Sequence, residues 1–237
     1  MAIRADAEKP TQDRPFIGRY ADHLVAEMES LSFPSKGDRT KHRLKIAAAQ
    51  ALEEIGYQDV KVSDICRYAE VALGTFYVYF RDKNEIAIEV ILDFVEHLYA
   101  KAREVGHGTG EYEAILNTNR FFVAAYTVNP GLMQCHVQLN SQLEEFRVVW
   151  RPRHRQWIEN LARSISRRGN YGSDMPGSAR AVAHALEAMV FNYLYAVIVT
   201  RNPVVDEEDQ ADSDELAQML STLWYRAVYA KDPPAVS

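Results

Sequence analysis

The sequence predicts an all-α protein, on three observations. Apolar residues recur three and four positions apart across nearly all of the chain after residue 15. Alternating β-branched runs bounded by turn residues do not recur. Breaker-rich stretches, "PSKG" at 34–37 and "GHGTG" at 106–110, separate the apolar-periodic segments.

Composition narrows the function classes. The chain has 237 residues, 47% of them hydrophobic, which suffices for a real core in one large or two small domains. A formal charge of -6 excludes a molecule that binds nucleic acid or anionic lipid through its overall charge. The charge is unevenly spread. Residues 36–83 carry nine Lys or Arg against seven Asp or Glu, whereas residues 84–237 carry fourteen against twenty. Cys66 and Cys135 are far apart, with no CxxC and no Cys/His ladder, so no structural zinc and no disulfide framework is expected. A reducing cytoplasm fits this pattern. The leader "MAIRADAEKPTQDRPF" has no apolar stretch of the kind a secretion signal needs. The apolar run 188–200 is shorter than the roughly 20 residues a bilayer requires, so it is expected to be a buried helix, with no membrane partner.

Residues 1–37 read as a partly disordered N-terminal extension with a helix within 15–32 on Ile17, Tyr20, Leu24 and Met28, ended by "PSKG". Its dispersed Arg4, Lys9, Arg14 and Arg19 would suit a DNA-contacting tail, but six acidic residues among them argue against one. Residues 38–57 form a firmer helix on Leu44, Ala47, Ala48, Ala51, Leu52 and Ile55, stopped by Gly56. Arg39, Lys41, His42 and Arg43 oppose the dipole at its start, which points either to an external anion or to a solvated face.

Residues 62–69 and 73–80 are two short helices joined by the corner "EVA", the helix-turn-helix pattern. Asp82 caps a long helix over 83–105, with the stripe Ile86, Val90, Phe94 and Leu98. Four helical segments follow at 111–128, 131–169, 176–201 and 213–230, and Pro152 should kink or divide the second of them. The acidic stretch 202–215 reads as a loop.

The run "IAAAQALEEIGYQDVKVSDICRYAEVALGTFYVYFRDKNEI" resembles the N-terminal DNA-binding domain of the TetR family of bacterial transcriptional repressors. The resemblance rests on Gly56-Tyr57, Asp64-Ile65, Ala69, Val71, Gly74-Thr75-Phe76-Tyr77, Tyr79-Phe80 and Lys83. It implies three divisions: the extension to residue 37, a helix-turn-helix domain over 38–83, and a helical ligand-binding and dimerisation bundle over 84–231. It also implies that residues 73–79 enter the major groove of a double-stranded operator.

Carried over by position, Lys61 and Ser63 approach the DNA backbone, Thr75 and Tyr77 meet phosphate or base edges, Tyr79 the backbone, and Lys83 a phosphate. Leu73 and Val78 can read only thymine methyls, and Gly74 lets the backbone come close. Lys61 stands where the family often has a capping threonine, so Ser63 or Asp59 is expected to cap the helix. Glu70 replaces the usual corner glycine. Independently, Phe76 and Phe80 fall at i and i+4 and should point together into the core.

The helix over 179–200 is apolar nearly all round, so it should be buried between its own domain and a partner, building a four-helix homodimer interface with the last helix. A two-fold protein presents two reading heads to a pseudo-palindrome. A ligand between the 83–105 helix and the bundle could change their spacing. Pocket candidates for a small hydrophobic or amphipathic effector are Phe94, His97, Phe121, Phe122, Tyr126, Met133, His136, Leu139, Trp150, Trp157, Asn192 and Tyr193, each of which could equally be core. Arg147, Arg151 and Arg155 form a cationic stripe that is either a solvated face or an entrance for a carboxylate or acyl-CoA ligand.

No GxSxG, HExxH or phosphate loop is present, so catalysis, a cofactor and a metal are not expected. The reading is a ligand-responsive, DNA-binding repressor. A helical carrier or enzyme with an incidental N-terminal bundle, or an activator, are the alternatives.

Overall fold

In the computed structural model of the protein, residues 18–30, 32–106, 110–168, 177–202 and 212–231 are described. Among them there is no strand. The helices are α1 (Tyr20–Ser30), α2 (Lys36–Glu54), α3 (Val62–Ala69), α4 (Leu73–Tyr79), α5 (Lys83–Val105), α6 (Glu111–Val128), α7 (Pro130–Gln142), α8 (Glu144–Arg168), α9 (Ala179–Leu194) and α10 (Ser213–Tyr229).

Local chemistry sets the boundaries. Ser35 caps α2 by accepting from the Asp38 N–H, and Asp82 caps α5 by accepting from the Glu85 N–H. Asp212 and Glu215 form a reciprocal capping box at the start of α10. The segment expected at 131–169 is two helices, and Pro152 is not what divides them. Leu143 breaks the run with an extended backbone (φ -114, ψ 115), while Pro152 lies inside α8 on its exposed side. The carbonyl that a proline leaves without its N–H is that of Val148, itself exposed, so water can reach it. The C-terminus of α9 continues as one π-helical turn, Tyr195–Val199.

Leu44, Leu52, Ile65, Phe76 and Phe80 are buried in the core of the α2–α4 head, with the Phe76 and Phe80 rings 5.7 Å apart. The head is not isolated, because α2 packs against α1, α5 and α7 as well as α3. Tyr20 of α1 is buried, its ring 5.1 Å from Phe94 and 5.6 Å from His97, and its N–H donates to Asn129 Oδ1 at 2.7 Å. The helix within the extension is therefore docked onto the body. Ile17, expected on its stripe, and residues 1–16 lie outside the described residues.

In the C-terminal body α10 lies along α6, tied by Arg120 to Asp214 at 2.6 Å and by Asn119 to Ser221 at 2.9 Å, and α9 lies along α8. The apolar helical stretch Ala179–Val199 has 21 residues, longer than the run read from the sequence, and meets the length for a membrane span. Only 28% of its most apolar window is buried. The face it leaves open is the small-residue stripe Ala181, Ala185, Ala188 and Asn192, exposed but for the half-buried Ala188. Both cysteines are buried and unpaired.

Candidate nucleic-acid interface and internal cavity

The α4 helix turns its apolar residues in two directions. Phe76 is fully buried, while Leu73, Tyr77 and Val78 are 51%, 55% and 75% exposed. Exposing three large apolar or aromatic side chains on a seven-residue helix costs solvation without helping the fold, which marks the face as one that meets something. Thr75 is half-buried. Gly74 is exposed, and a Cβ there would meet no atom within 4 Å, so nothing among the described residues demands a glycine. Tyr79 is half-buried and leans its hydroxyl toward Gly37 in the first turn of α2. That brings it beside the exposed Lys36 and Arg39 at a helix N-terminus, a place suited to an anion.

Lys83 departs from the expected phosphate role. Its ammonium donates to the carbonyls of Tyr57 (2.9 Å), Gln58 (3.1 Å) and Val60 (3.0 Å). An ammonium has three protons, and all three are spent closing the loop between α2 and α3. The basic first turns of α2 are similarly occupied. Lys41 and Lys45 pair with Glu89 of α5, Lys45 also pairs with Asp93, His42 meets Leu24 O at 3.0 Å, and Arg43 donates to Ala69 O. Internal partners rather than an external anion therefore account for most of that charge; Arg39 and Lys36 are the basic groups left facing out.

The cap of α3 also differs from expectation. Neither Ser63 nor Asp59 provides it; Asp64 reaches back to the Lys61 N–H at 3.0 Å. Ser63 and Lys61 are both exposed. Glu70 adopts the left-handed conformation of the missing glycine (φ 51, ψ 47), so the corner keeps its geometry at the cost of strain.

Two further contacts that the sequence does not announce tie the start of α7 to the head and to the N-terminal helix. Glu53, near the end of α2, accepts from the N–H groups of Gly131 and Leu132, both at 2.9 Å, and so caps α7. Asn129, just before α7, caps α1 through Tyr20. The "NPG" at 129–131 was the available signal, since proline at a first helical position followed by glycine marks a helix start in close contact with something.

A cavity of about 330 Å³ opens among the end of α5 and helices α6, α8, α9 and α10. Its wall is mostly apolar, from Ile115, Phe122, Leu161, Ile165, Val190, Phe191, Trp224 and Val228, with Thr118, Asn119, Asn160, Ser164 and Glu187 as polar points and Arg103 and Glu111 among the charged ones. Of the expected pocket residues, Phe122 and Trp157 line it. The others are placed elsewhere. Phe94 and His97 are covered by Tyr20 of α1. Phe121, Met133 and Leu139 are core. Tyr126 is buried and donates to Phe191 O at 3.5 Å. His136 and Trp150 meet edge to face at 4.8 Å where α7 passes α8. Asn192 is exposed and donates to Ala188 O, and Tyr193 is half-buried. Arg147 pairs with Glu144 and closes the α7 terminus through Asn140 O and Ser141 O, and Arg151 and Arg155 are exposed and away from the cavity.

Trp157 serves two structures at once. It borders the cavity and stacks on Tyr99 of α5 at 4.1 Å with the planes 2° apart. Its buried Nε1–H has no hydrogen-bond partner. A buried donor left without an acceptor costs the fold free energy.

Comparison with known proteins gives the following. Residues 46–90 match the family model "Bacterial regulatory proteins, tetR family", and residues 115–230 match "Transcriptional regulator EthR, C-terminal domain". The HTH-type transcriptional regulator YvdT of Bacillus subtilis is 23% identical over 119 residues, 48% of this chain and 61% of that protein. The fatty acid metabolism regulator protein of the same organism is 26% identical over 108 residues, 42% of this chain and 56% of that protein. The chain thus spans a little over half the length of these curated relatives. Among solved structures, the fatty acid degradation regulator FadR from Bacillus halodurans has a TM-score of 0.63 at 17% identity, covering 82% of this chain and 96% of its own. GusR of Salmonella enterica has a TM-score of 0.62 at 18% identity, covering 82% and 98%. At such identities the two structures establish a shared fold.

Proposed function

This chain belongs to the TetR family of transcriptional regulators, which are not enzymes, and from that premise we propose that it is a repressor that binds a pseudo-palindromic operator as a homodimer and leaves it when an amphipathic effector fills the cavity. The observation that carries the DNA role is the exposed face of α4. Leu73 and Val78 offer apolar contact to thymine methyls, Tyr77 and Thr75 offer hydroxyls, and Gly74 lets the backbone approach. Lys61, Ser63, Tyr79 and the exposed Lys36 and Arg39 supply the flanking phosphate contacts. The region over 38–83 acts as the reading head and the remainder to 231 as sensor and dimerisation body. A cytoplasmic setting follows from that role.

Effector control uses two routes between cavity and head. One is α5, which starts at the head and stacks Tyr99 on the cavity-lining Trp157. The other runs from α6, which lines the cavity, through Asn129 into α7 and its Glu53 joint with α2. An effector shifts the head only to the extent that it prefers one arrangement of these joints. The mostly apolar wall, with Thr118, Asn119, Asn160, Ser164 and Glu187 as its polar points, favours an effector with an aliphatic body and a small polar end. Two of the similar proteins are, by name, regulators of fatty acid metabolism or degradation, which supports an acyl class.

The test is a mobility-shift titration on the DNA upstream of the chain's own gene, comparing wild type with Val78→Ser across a salt series. The repressor reading requires a discrete, salt-sensitive complex that the substitution weakens about tenfold without lowering the melting temperature. Retention by unrelated DNA to the same degree would remove it.

A further inference from the structure

We propose that His154, His184 and Glu187 form a binding site for a divalent transition-metal ion of the zinc class, at the seam between α8 and α9. One ligand atom from each residue lies within 4.8 Å of the other two. His154 Nε2 and Glu187 Oε1 are 3.1 Å apart. Donor atoms around a tetrahedral zinc ion, each about 2.1 Å from the metal, stand about 3.4 Å from one another. Two of the three are thus already at ligand spacing. The third, His184, is exposed, and a side-chain rotation brings it in at small cost.

The helices place the three residues for this. His184 and Glu187 are three apart on α9 and so share one side of it. His184 sits on the flank between the buried face and the open alanine stripe, toward α8. His154 faces them from α8, its ring 5.8 Å from that of His184. The inner two ligands are held: His154 stacks on Trp150 at 5.3 Å, and Glu187 is only 8% exposed. A carboxylate buried on an otherwise apolar helix is costly to the fold, and an ion shared with two imidazoles offsets that cost. Two imidazoles and one carboxylate suit zinc, iron, nickel or copper, and not magnesium or calcium, which prefer all-oxygen sets. On uptake the Nε2 proton that His154 shares with Glu187 is released or moves to Nδ1.

The site is tied to both halves of the signalling path. Glu187 also lines the cavity, so a fourth coordination position can face the effector space. The neighbouring Arg153 pairs with Glu96 of α5 at 2.6 Å, and Trp150 packs 6.2 Å from Tyr99. Metal occupancy would therefore stiffen the α5–α8 contact that leads to the head.

The full chain, without a histidine tag and stripped of metal, is titrated calorimetrically with zinc and, separately, with cobalt(II), whose visible absorption reports coordination number. One zinc per chain is expected, with strong four-coordinate cobalt bands and a melting temperature raised by zinc. His184→Ala should weaken zinc about 100-fold and abolish that rise, while leaving the metal-free melting temperature unchanged because His184 is exposed. The competing pair is His23 and His97, with ring centroids 4.1 Å apart. Zinc binding that survives His184→Ala, that is lost in His23→Ala instead, or that is absent from wild type overturns the proposal.

Discussion

Glu53 and Gly131 form a close joint between head and body: the carboxylate of Glu53 caps α7 through the Gly131 and Leu132 N–H groups, and a Cβ on Gly131 would fall 2.4 Å from Glu53 O. The atoms in the way are backbone, of Glu53 O, Cα and C, so no rotamer change makes room. Gly131→Ala must therefore separate α2 from α7 or strain both. Expected is a loss of about 2 kcal/mol in chemical denaturation, with operator affinity and its effector dependence changed together. Wild-type stability and induction in that variant would show that α7 does not report to the head.

Lys83 and Lys61 should behave differently on substitution, although both were placed against phosphate by position. Lys83→Ala removes a cation from three loop carbonyls and should destabilise the head by about 2 kcal/mol while leaving the salt slope of DNA binding near that of wild type. Lys61→Ala should do the reverse, sparing stability and lowering the slope by about 1. The measurement is log affinity against log salt for both variants beside their melting curves.

The contrast shows what the linear sequence carries. The recognition helix was legible because its offsets are local: Phe76 and Phe80 share a face by helical spacing, which leaves Leu73, Tyr77 and Val78 outside. Lys83 was not, because a long side chain chooses among acceptors brought near by the fold, here the loop after α2. Periodicity likewise tells which residues are buried but not which buried residues border a void, and so among the pocket candidates Phe122 and Trp157 border the cavity while the rest lie elsewhere. Ile115, Asn160, Val190 and Trp224 line the cavity together although they lie on four helices far apart in sequence. Glu187 carried a signal, since a carboxylate in the middle of an apolar helix needs a partner. That partner, His154, lies 33 residues away.

Glu70 holds a left-handed backbone that a side chain with a Cβ adopts at a cost. Glu70→Gly removes the strain, and the gain is partly offset by the greater freedom of glycine in the unfolded chain. A net stabilisation of about 0.5 to 1 kcal/mol is expected in urea denaturation. A destabilised variant would mean that the Glu70 side chain contributes more than its backbone costs.

Two histidines predict acid sensitivity. Burial, with His23 beside it, lowers the pKa of His97 to about 4, and burial with His154 nearby lowers that of His136 to about 4. A ring whose folded pKa lies below the ordinary 6.5 favours the neutral form in the fold. Its contribution is complete above pH 6.5 and is lost as the pH falls toward 4. The melting temperature should drop over that window, and His136→Phe, which keeps the ring contacts with Phe146 and Trp150, should make the drop shallower. An unchanged slope in that variant would place the acid transition elsewhere, in the carboxylates.

The open faces of α9 and α10 are where a homodimer is expected to form. Ala181, Ala185 and Ala188 let a second helix approach closely, and on α10 Met219 and Leu223, one turn apart, are 39% and 45% exposed. Neither face is needed by the monomer's own core, whose buried residues on α10 point toward α6. An exposed apolar surface of this kind fits self-complementary two-fold packing, in which each helix meets the same helices of a partner. Ala185→Arg combined with Leu223→Glu places charge in that seam without touching the monomer interior, and should convert the protein to a folded monomer in sedimentation. Operator affinity should then fall about 100-fold or more, because two half-sites are no longer held by one molecule. A variant that stays dimeric would move the interface to another face and leave the spacing between reading heads to be set there.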